Sequence, residues 1–375
     1  MPIVNRFADF QDDLVATRRD IHRHPELMYD VQRTAAAVAE KLRAFGVDEV
    51  TTAIGRTGVV GVIRGRKNSG GRVIGLRADM DALPLRETTG KPYASEIDGK
   101  MHACGHDGHT TMLLGAARYL AETRNFDGTA IVIFQPAEEG GGGGKAMIED
   151  GLMERWKIEE VYGMHNMPGQ PVGTFAIRKG PILASTDEFT IDITGNGGHA
   201  AKPHTTIDPI VVGASLVQAL QTIVSRNINP TDSVVVSVTK FHAGEAYNII
   251  PSTARVAGTV RTLRAEDRDL AERRIRAIVD YDRNYPVTRN HPLQTDFAAG
   301  VAREIAGAAN VDSESPPMLG GEDFSYMLEA RPGAFIFIGQ GDTAGLHNPA
   351  YDFNDEIIPI GCSYWARLIE TAMPA

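Results

Sequence analysis

Cysteine is scarce in this chain of 375 residues, which contains only Cys104 and Cys362. Two cysteines can pair only once, which argues against a disulfide framework. The chain has no Lys/Arg run, and its formal net charge of -10 argues against nucleic acid as a partner. No apolar run approaches the roughly 18 residues of a membrane span, and charge interrupts the N-terminal segment, unlike a secretory signal. We therefore expect a cytoplasmic protein that binds neither nucleic acid nor a membrane.

Although cysteine is scarce, the segment 101–109 contains a thiol and three imidazoles within nine residues. A lone cysteine or histidine is usually structural, but Cys104 and His106 can converge on one ion where a loop turns into a helix. The apolar spacing of residues 110–122 predicts that helix directly afterwards. We therefore expect the cluster to lie at a helix N-terminus, where the helix dipole favours a thiolate over a thiol.

Short apolar runs bounded by turn residues predict buried strands, with helical patterns between them. The runs are Val59–Ile63, Arg72–Arg77, Ala130–Phe134, Val161–Met164 and Ala334–Ile338. This alternation predicts an α/β domain with a largely parallel sheet.

Polar residues follow four of these strands, and in open α/β sheets ligands bind outside the carboxyl ends of the strands. Asp79 and Asp81 follow the second run, Glu138 and Glu139 follow the third, and His165 follows the fourth, while His347 lies in the loop after the last run. Four strands thus end in residues able to hold or serve a metal.

The pair Glu138 and Glu139 leaves a buried strand and precedes Gly140–Gly144, a stretch with no side chains to block a site. One carboxylate can bind a metal while the other faces a water. A phosphate-loop interpretation of the glycine run fails, because that motif needs Gly at position 139 and Ser or Thr at position 146.

The candidate ligands are too many for one tetrahedral zinc that must also bind water. Two metals sharing a bridging group fit better, as in aminopeptidases. The five candidates are Cys104, His106, Glu139, His165 and His347. Glu138 is then the available general base.

Between the two halves of this pattern, from about Thr186 to His291, a different element order is predicted: strand, helix, strand, strand, helix and an expected final strand. This describes a small α+β domain, residues 186–291, inserted into a catalytic domain of residues 1–185 and 292–375. The last helix is expected from Ala265 to Ile278, and the segment Arg276–Tyr285 passes from this helix to a candidate strand without a Gly or Pro stop.

Nine motifs in order along nearly the whole chain resemble the M20 metallopeptidase family, in its branch of aminoacylases, hippurate hydrolases and auxin-conjugate amidohydrolases. They are Arg18–Leu27, Arg77–Pro84, His102–His109, Phe134–Gly140, Gly163–Asn166, Gly197–His204, Asn248–Pro251, Gly320–Phe324 and Leu346–Pro349. The resemblance implies a zinc-exopeptidase-like catalytic domain and a ferredoxin-like lid that mediates dimerisation. It also places the final lid strand at 285–290, with a segment after Ile278 shorter than the family's.

Residue by residue, the resemblance implies that the five candidate ligands bind two divalent ions (Zn, Mn or Co) and that Glu138 is the catalytic base. Asp81 matches the residue that orients a ligand, and Asp79 stands where the wider family has His. His199 would reach into the active site of a second copy and help to hold the oxyanion. Asn248 is a candidate for gripping substrate, and Arg261 for pairing with its carboxylate. A surface ion pair is an equally good interpretation of Arg261.

The expected reaction is hydrolysis of an N-acyl amino acid, such as hippurate or an N-acetyl conjugate, to a carboxylic acid and a free amino acid. The expected assembly is a homodimer or tetramer formed through the lid. Three alternatives stay open: a dipeptidase or aminopeptidase of the same family, a cysteine amidase with Cys104 as nucleophile, and a metal-binding or peptide-binding relative without activity.

Overall fold

The computed structural model describes residues 5–276 and 280–375, and in these the chain forms ten α-helices and sixteen strands. The helices are α1 (Gln11–Arg23), α2 (Gln32–Ala44), α3 (His106–Thr123), α4 (Gly143–Glu149), α5 (Leu152–Arg155), α6 (Pro209–Thr222), α7 (Ala265–Arg276), α8 (Pro292–Ala306), α9 (Phe324–Ala330) and α10 (Ile358–Ala372). The strands are β1 (Glu49–Ile54), β2 (Gly58–Arg64), β3 (Val73–Asp79), β4 (Thr129–Gln135), β5 (Glu160–Met167), β6 (Phe175–Ala176), β7 (Gly180–Leu183), β8 (Asp187–Thr194), β9 (Gly198–His199), β10 (Val234–Ala243), β11 (Ile249–Ile250), β12 (Thr253–Thr262), β13 (Asp280–Arg283), β14 (Thr288–Asn290), β15 (Val311–Asp312) and β16 (Gly333–Gly339).

The chain divides into two compact units. The first comprises Met1–Ile182, Arg289–Pro316 and Asp323–Ala375, and the second comprises Leu183–Thr288 and Pro317–Glu322. The second unit thus also takes in a short segment that the sequence division assigned to the catalytic domain. Each unit has its own hydrophobic core.

An eight-stranded sheet of order β1-β2-β4-β3-β5-β16-β6-β15 is the centre of the first unit. Its middle strands β4, β3, β5 and β16 are parallel, whereas β1 and β2 run antiparallel at one side. β2, β3 and β4 are buried almost throughout, as expected of strands covered on both faces by helices. The predicted α/β class with a mostly parallel sheet is confirmed.

Helix α3 is buried along most of its length, which is typical of a helix inside a core. It packs against α1, α10 and β3. Gly115 permits this close packing, because a Cβ there would clash with Cys362 Sγ. The helix N-terminus, which carries His106, is thereby held rigidly beside the sheet.

The second unit contains a four-stranded antiparallel sheet of order β10-β12-β8-β13, with α6 and α7 packed against it. Buried and exposed residues alternate along β8 and β12, so one face of the sheet forms the core of this unit. Phe189, Val256 and Val260 belong to that core.

The strand position that the family resemblance implied for the end of this unit needs a correction. The final strand of the sheet is Asp280–Arg283, which pairs with β8, and it is not the segment 285–290. Thr288–Asn290 instead pairs with β7 in a separate two-stranded sheet. Pro286 explains part of the difference, because proline cannot donate a ladder hydrogen bond. Ile278, the expected end of the preceding helix, lies outside the described residues.

Both cysteines are free and buried. Cys362 lies in α10, where its thiol donates to the carbonyl of Met112 at 3.2 Å. Of the helices in the described ranges, none is long and apolar enough to cross a membrane.

Candidate metal centre

Four parallel strands bring polar residues to one edge of the sheet in the first unit. Asp79 ends β3 and is level with Gln135 at the end of β4, from which the chain continues to Glu138 and Glu139. His165 lies within β5 rather than after it, because this strand continues to Met167. The loop after β16 carries His347.

All five predicted ligands and Glu138 meet at this edge. Potential ligand atoms lie within 4.8 Å of one another in three overlapping groups: Cys104, His106 and His165; Cys104, Glu139 and His347; and His106, Glu138 and Glu139. The Sγ of Cys104 lies 3.4 Å from His165 Nε2, and His347 Nε2 lies 3.3 Å from Glu139 Oε1. One mixed set of sulfur, nitrogen and oxygen donors results.

Backbone carbonyls orient the two buried imidazoles. His106 Nδ1 donates to the carbonyl of Asp81 at 2.8 Å, and His165 Nδ1 donates to the carbonyl of Asn166 at 2.7 Å. Each Nε2 is thereby directed into the cluster, as is usual for a metal-binding histidine. Within the described residues, the buried Nε2 of His106 has no hydrogen-bond partner. The donor set therefore fits divalent cations.

Asp81 positions two parts of the cluster at once. Its carboxylate accepts the backbone N–H groups of Glu138 at 2.9 Å and of Glu139 at 3.1 Å, while its carbonyl accepts from His106. Asp81 is buried. It ties the end of β3 to the turn after β4, and its role in orienting a ligand stays a prediction.

The turn between Cys104 and His106 requires glycine. Gly105 has a φ of +91°, in the left-handed region that side chains rarely adopt. A Cβ at this position would also clash with the Asn166 side chain and with the Tyr351 hydroxyl. Gly105 lets the thiol and the imidazole approach the same point.

The charges of the cluster favour a cation. Burial opposes protonation of His106, but the neighbouring carboxylates of Asp79, Asp81 and Glu139 together raise its pKa to about 10. Burial and the nearby His109 lower the pKa of His165 well below its ordinary value. Without bound ions, the carboxylates thus hold a proton at His106, where a cation would replace it.

Burial and neighbouring carboxylates oppose the Cys104 thiolate that the helix dipole is expected to favour. Burial raises the pKa of this thiol well above its ordinary value, and the carboxylates of Glu139, Glu138 and Asp79 raise it further. In the protein without bound ions, desolvation and like charge therefore favour the neutral thiol.

The sequence did not predict a buried chain of hydrogen bonds that lies behind the candidate ligands. His109 Nδ1 donates to Asp79 Oδ1 at 2.7 Å, its Nε2 lies 2.7 Å from Asn166 Oδ1, and Arg77 donates to Asp79 Oδ2 at 2.7 Å. The His109 ring packs against that of His165, with 4.4 Å between centroids. The signal in the sequence was the i, i+3 spacing of His106 and His109, which puts both on one helix face.

The other three predicted residues belong to the second unit. His199 in β9 and Asn248 before β11 are exposed and lie near each other, because His199 pairs with Ile249. Arg261 in β12 is half-buried, and its guanidinium donates to the Thr259 hydroxyl and to the Val260 carbonyl. Burial lowers the pKa of Arg261. Their roles toward substrate stay predictions.

Comparison with known proteins agrees with this centre. The model of "Peptidase family M20/M25/M40" matches residues 75–371. The chain is 44% identical to hippurate hydrolase from Campylobacter jejuni, with 98% of each chain covered, and 37% identical to N-acetylcysteine deacetylase from Bacillus subtilis, with 96% of each covered. A solved dinuclear metal-binding peptidase of family M20, also from Bacillus subtilis, is 34% identical, with a TM-score of 0.82 over 98% of this chain and 99% of that one. The chain belongs to peptidase family M20/M25/M40.

Proposed function

We propose that this protein is a metal-dependent amidohydrolase that cleaves N-acyl amino acids to a carboxylic acid and a free amino acid. The observation that carries the proposal is the convergence of five ligand side chains with Glu138 at one edge of the sheet. The named activities of the hippurate hydrolase and the N-acetylcysteine deacetylase support the substrate class, since both act on N-acylated amino acids.

Cys104, His106, Glu139, His165 and His347 would hold two divalent ions. Such ions, when bound, lower the pKa of a water to about 7 and polarise the acyl carbonyl. Thiolate and imidazole ligands favour Zn or Co, and carboxylate also suits Mn.

Glu138 moves the proton in this proposal. Its carboxylate accepts a proton from the attacking water as the water oxygen bonds to the acyl carbon. It then delivers that proton to the amide nitrogen as the C–N bond breaks, which releases the free amino acid. Asp81 holds the backbone of Glu138 and Glu139 in place through both steps.

The second unit supplies the remaining parts of the proposal. His199 stabilises the oxyanion in the site of a second copy, Asn248 grips the substrate, and Arg261 pairs with the substrate carboxylate. The chain accordingly works as a homodimer or tetramer formed through residues 186–291. Both free thiols suit a reducing compartment, and we place the enzyme in the cytoplasm.

Exposed apolar side chains of the second unit support this assembly. Ile207, Val211, Tyr247 and Ile249 are exposed there, and β10 lies at an edge of its sheet. Exposed apolar patches and unpaired strand edges are typical of protein interfaces.

Sedimentation equilibrium tests the assembly. Val211, which is 62% exposed on α6, is replaced by Glu, and Leu293, which is 78% exposed on α8 of the first unit, is replaced by Glu as a control. Val211→Glu should yield monomers and lower kcat, because His199 no longer reaches a second copy, whereas Leu293→Glu should resemble wild type. A fully active monomer would contradict the role of His199.

Chelation tests the reaction class. EDTA or phenanthroline should reduce hydrolysis of hippurate to background, and Mn²⁺, Co²⁺ or Zn²⁺ added back singly should restore it. A cysteine amidase would keep its activity in chelator, which would contradict the proposal. Dipeptides tested as substrates in the same screen distinguish the dipeptidase alternative from an N-acyl amino acid hydrolase. If no substrate is hydrolysed with any added ion, the result would support a binding protein without activity.

A further inference from the structure

One motif of the chain has no part in the reaction proposed above. Residues 18–27 open with Arg18 and His22, one turn apart on the same face of α1, and both side chains are fully buried. Burial of two basic side chains in a core is costly unless they are paired. Their partners therefore indicate what the motif does.

Both side chains converge on Asp107. His22 Nδ1 donates to Asp107 Oδ2 at 2.8 Å, and Arg18 Nη1 lies 3.4 Å from the same oxygen. Asp107 is fully buried and follows His106 in the first turn of α3. Two basic side chains of α1 thus bind Asp107, the residue adjacent to the proposed metal ligand His106.

Further contacts hold the side chains of His22 and Arg18 in place. His22 Nε2 lies 3.3 Å from Glu87 Oε2, and Arg18 Nε donates to Asp355 at 2.8 Å. Burial opposes the charge on His22, but its hydrogen bonds to Asp107 and Glu87 raise its pKa to about 9. His22 is therefore a cation at neutral pH, with each ring nitrogen facing a carboxylate.

We propose that Arg18 and His22 are positioning residues for the metal centre, which act through Asp107 to fix the first turn of α3 and the ligand turn of Cys104 and His106. This inference rests on the proposed metal-dependent function. His106 must place its Nε2 in the cluster while its Nδ1 stays on the Asp81 carbonyl, so a small rotation of the first turn of α3 would break one of these contacts. The grip on Asp107 prevents that rotation, as partners of ligating groups do in other metal sites.

Two substitutions of His22 distinguish the roles of its two ring nitrogens. The amide nitrogen of Asn is as many bonds from the backbone as Nδ1 and can reach Asp107, whereas that of Gln corresponds to Nε2 and can reach Glu87. His22→Gln should lower the affinity of the metal-free full-length protein for Co²⁺ by about 10- to 100-fold. His22→Asn should stay within about threefold of wild type, and Glu87→Gln, which keeps the Asp107 contact, should do the same.

Titration with Co²⁺, followed by thiolate-to-cobalt absorption, gives these affinities, and denaturant unfolding of the metal-free proteins gives their stability. Equal affinities in His22→Gln and wild type, or equal losses in the Gln and Asn variants, would overturn the inference and leave a purely structural role. If His22→Gln does not fold, Arg18→Lys replaces it: lowered Co²⁺ affinity supports the inference, and unchanged affinity overturns it. Failure of wild type to bind Co²⁺ would instead contradict the proposed function itself.

Discussion

Replacement of Glu138 by Gln is expected to lower kcat for hippurate by about 10²- to 10⁴-fold, the usual contribution of a general base. Glutamine has nearly the same shape as glutamate but cannot accept a proton from water. Glu138 Oε1 accepts the backbone N–H of Asp323 only weakly, at 3.4 Å, and an amide oxygen can keep this contact. The fold and the bound metal should therefore be unchanged.

Glu139→Gln is the matched control, since it makes the same chemical change one residue further along. Glu139 faces Cys104 and His347, so its variant should lose metal as well as activity. Metal analysis of both purified variants and release of free glycine from hippurate are the measurements. A Glu138→Gln enzyme with a near-normal rate would remove Glu138 from its role, and loss of metal from that variant would assign it as a ligand.

Substitution of Cys104 is expected to have the second large effect. Cys104→Ala removes a donor that two of the ligand groups share, and with it the attachment of a metal. We expect kcat/KM to fall by about 10³-fold or more, which is comparable to loss of the activated water. The alanine variant alone does not distinguish a ligand from a nucleophile.

Cys104→Asp makes that distinction, because a carboxylate can bind Zn or Mn but cannot replace a thiolate nucleophile of an amidase. A ligand role predicts that Cys104→Asp recovers at least about tenfold of the activity lost in Cys104→Ala, with metal content near wild type. Steady-state kinetics with excess Mn²⁺ and metal analysis are the readouts. A carboxylate variant that binds metal fully but is as inactive as the alanine variant would favour the nucleophile.

Short-range sequence signals were sufficient for much of the site. The strand that ends at Asp79 and the helix after His106 follow from local apolar patterns. Because parallel strands have their carboxyl ends at one edge, Glu139, His165 and His347 could be expected together from the sequence alone. These predictions depend on chain direction and periodicity alone.

Contacts between residues far apart in the chain could not be predicted from the sequence in the same way. Asp81 holds Glu138 and Glu139 from a position 57 and 58 residues earlier in the chain, and Arg18 reaches Asp107 over 89 residues. No local pattern encodes such pairs. The position 285–290, which the family resemblance implied for the last strand of the second unit, was wrong, because pairing with β8 selects the segment 280–283 instead.

The segment 101–109 shows both kinds of information. From its residue types alone, it could be interpreted as a candidate metal-binding turn and placed at a helix N-terminus, because ligand chemistry and helix spacing are local properties. The ionisation state of Cys104 could not be predicted from the sequence, since its pKa depends on burial and on carboxylates that come from distant parts of the chain. The direction of the His106 ring was also decided by the folded chain, which alone brings the carbonyl of Asp81 within 2.8 Å of its Nδ1.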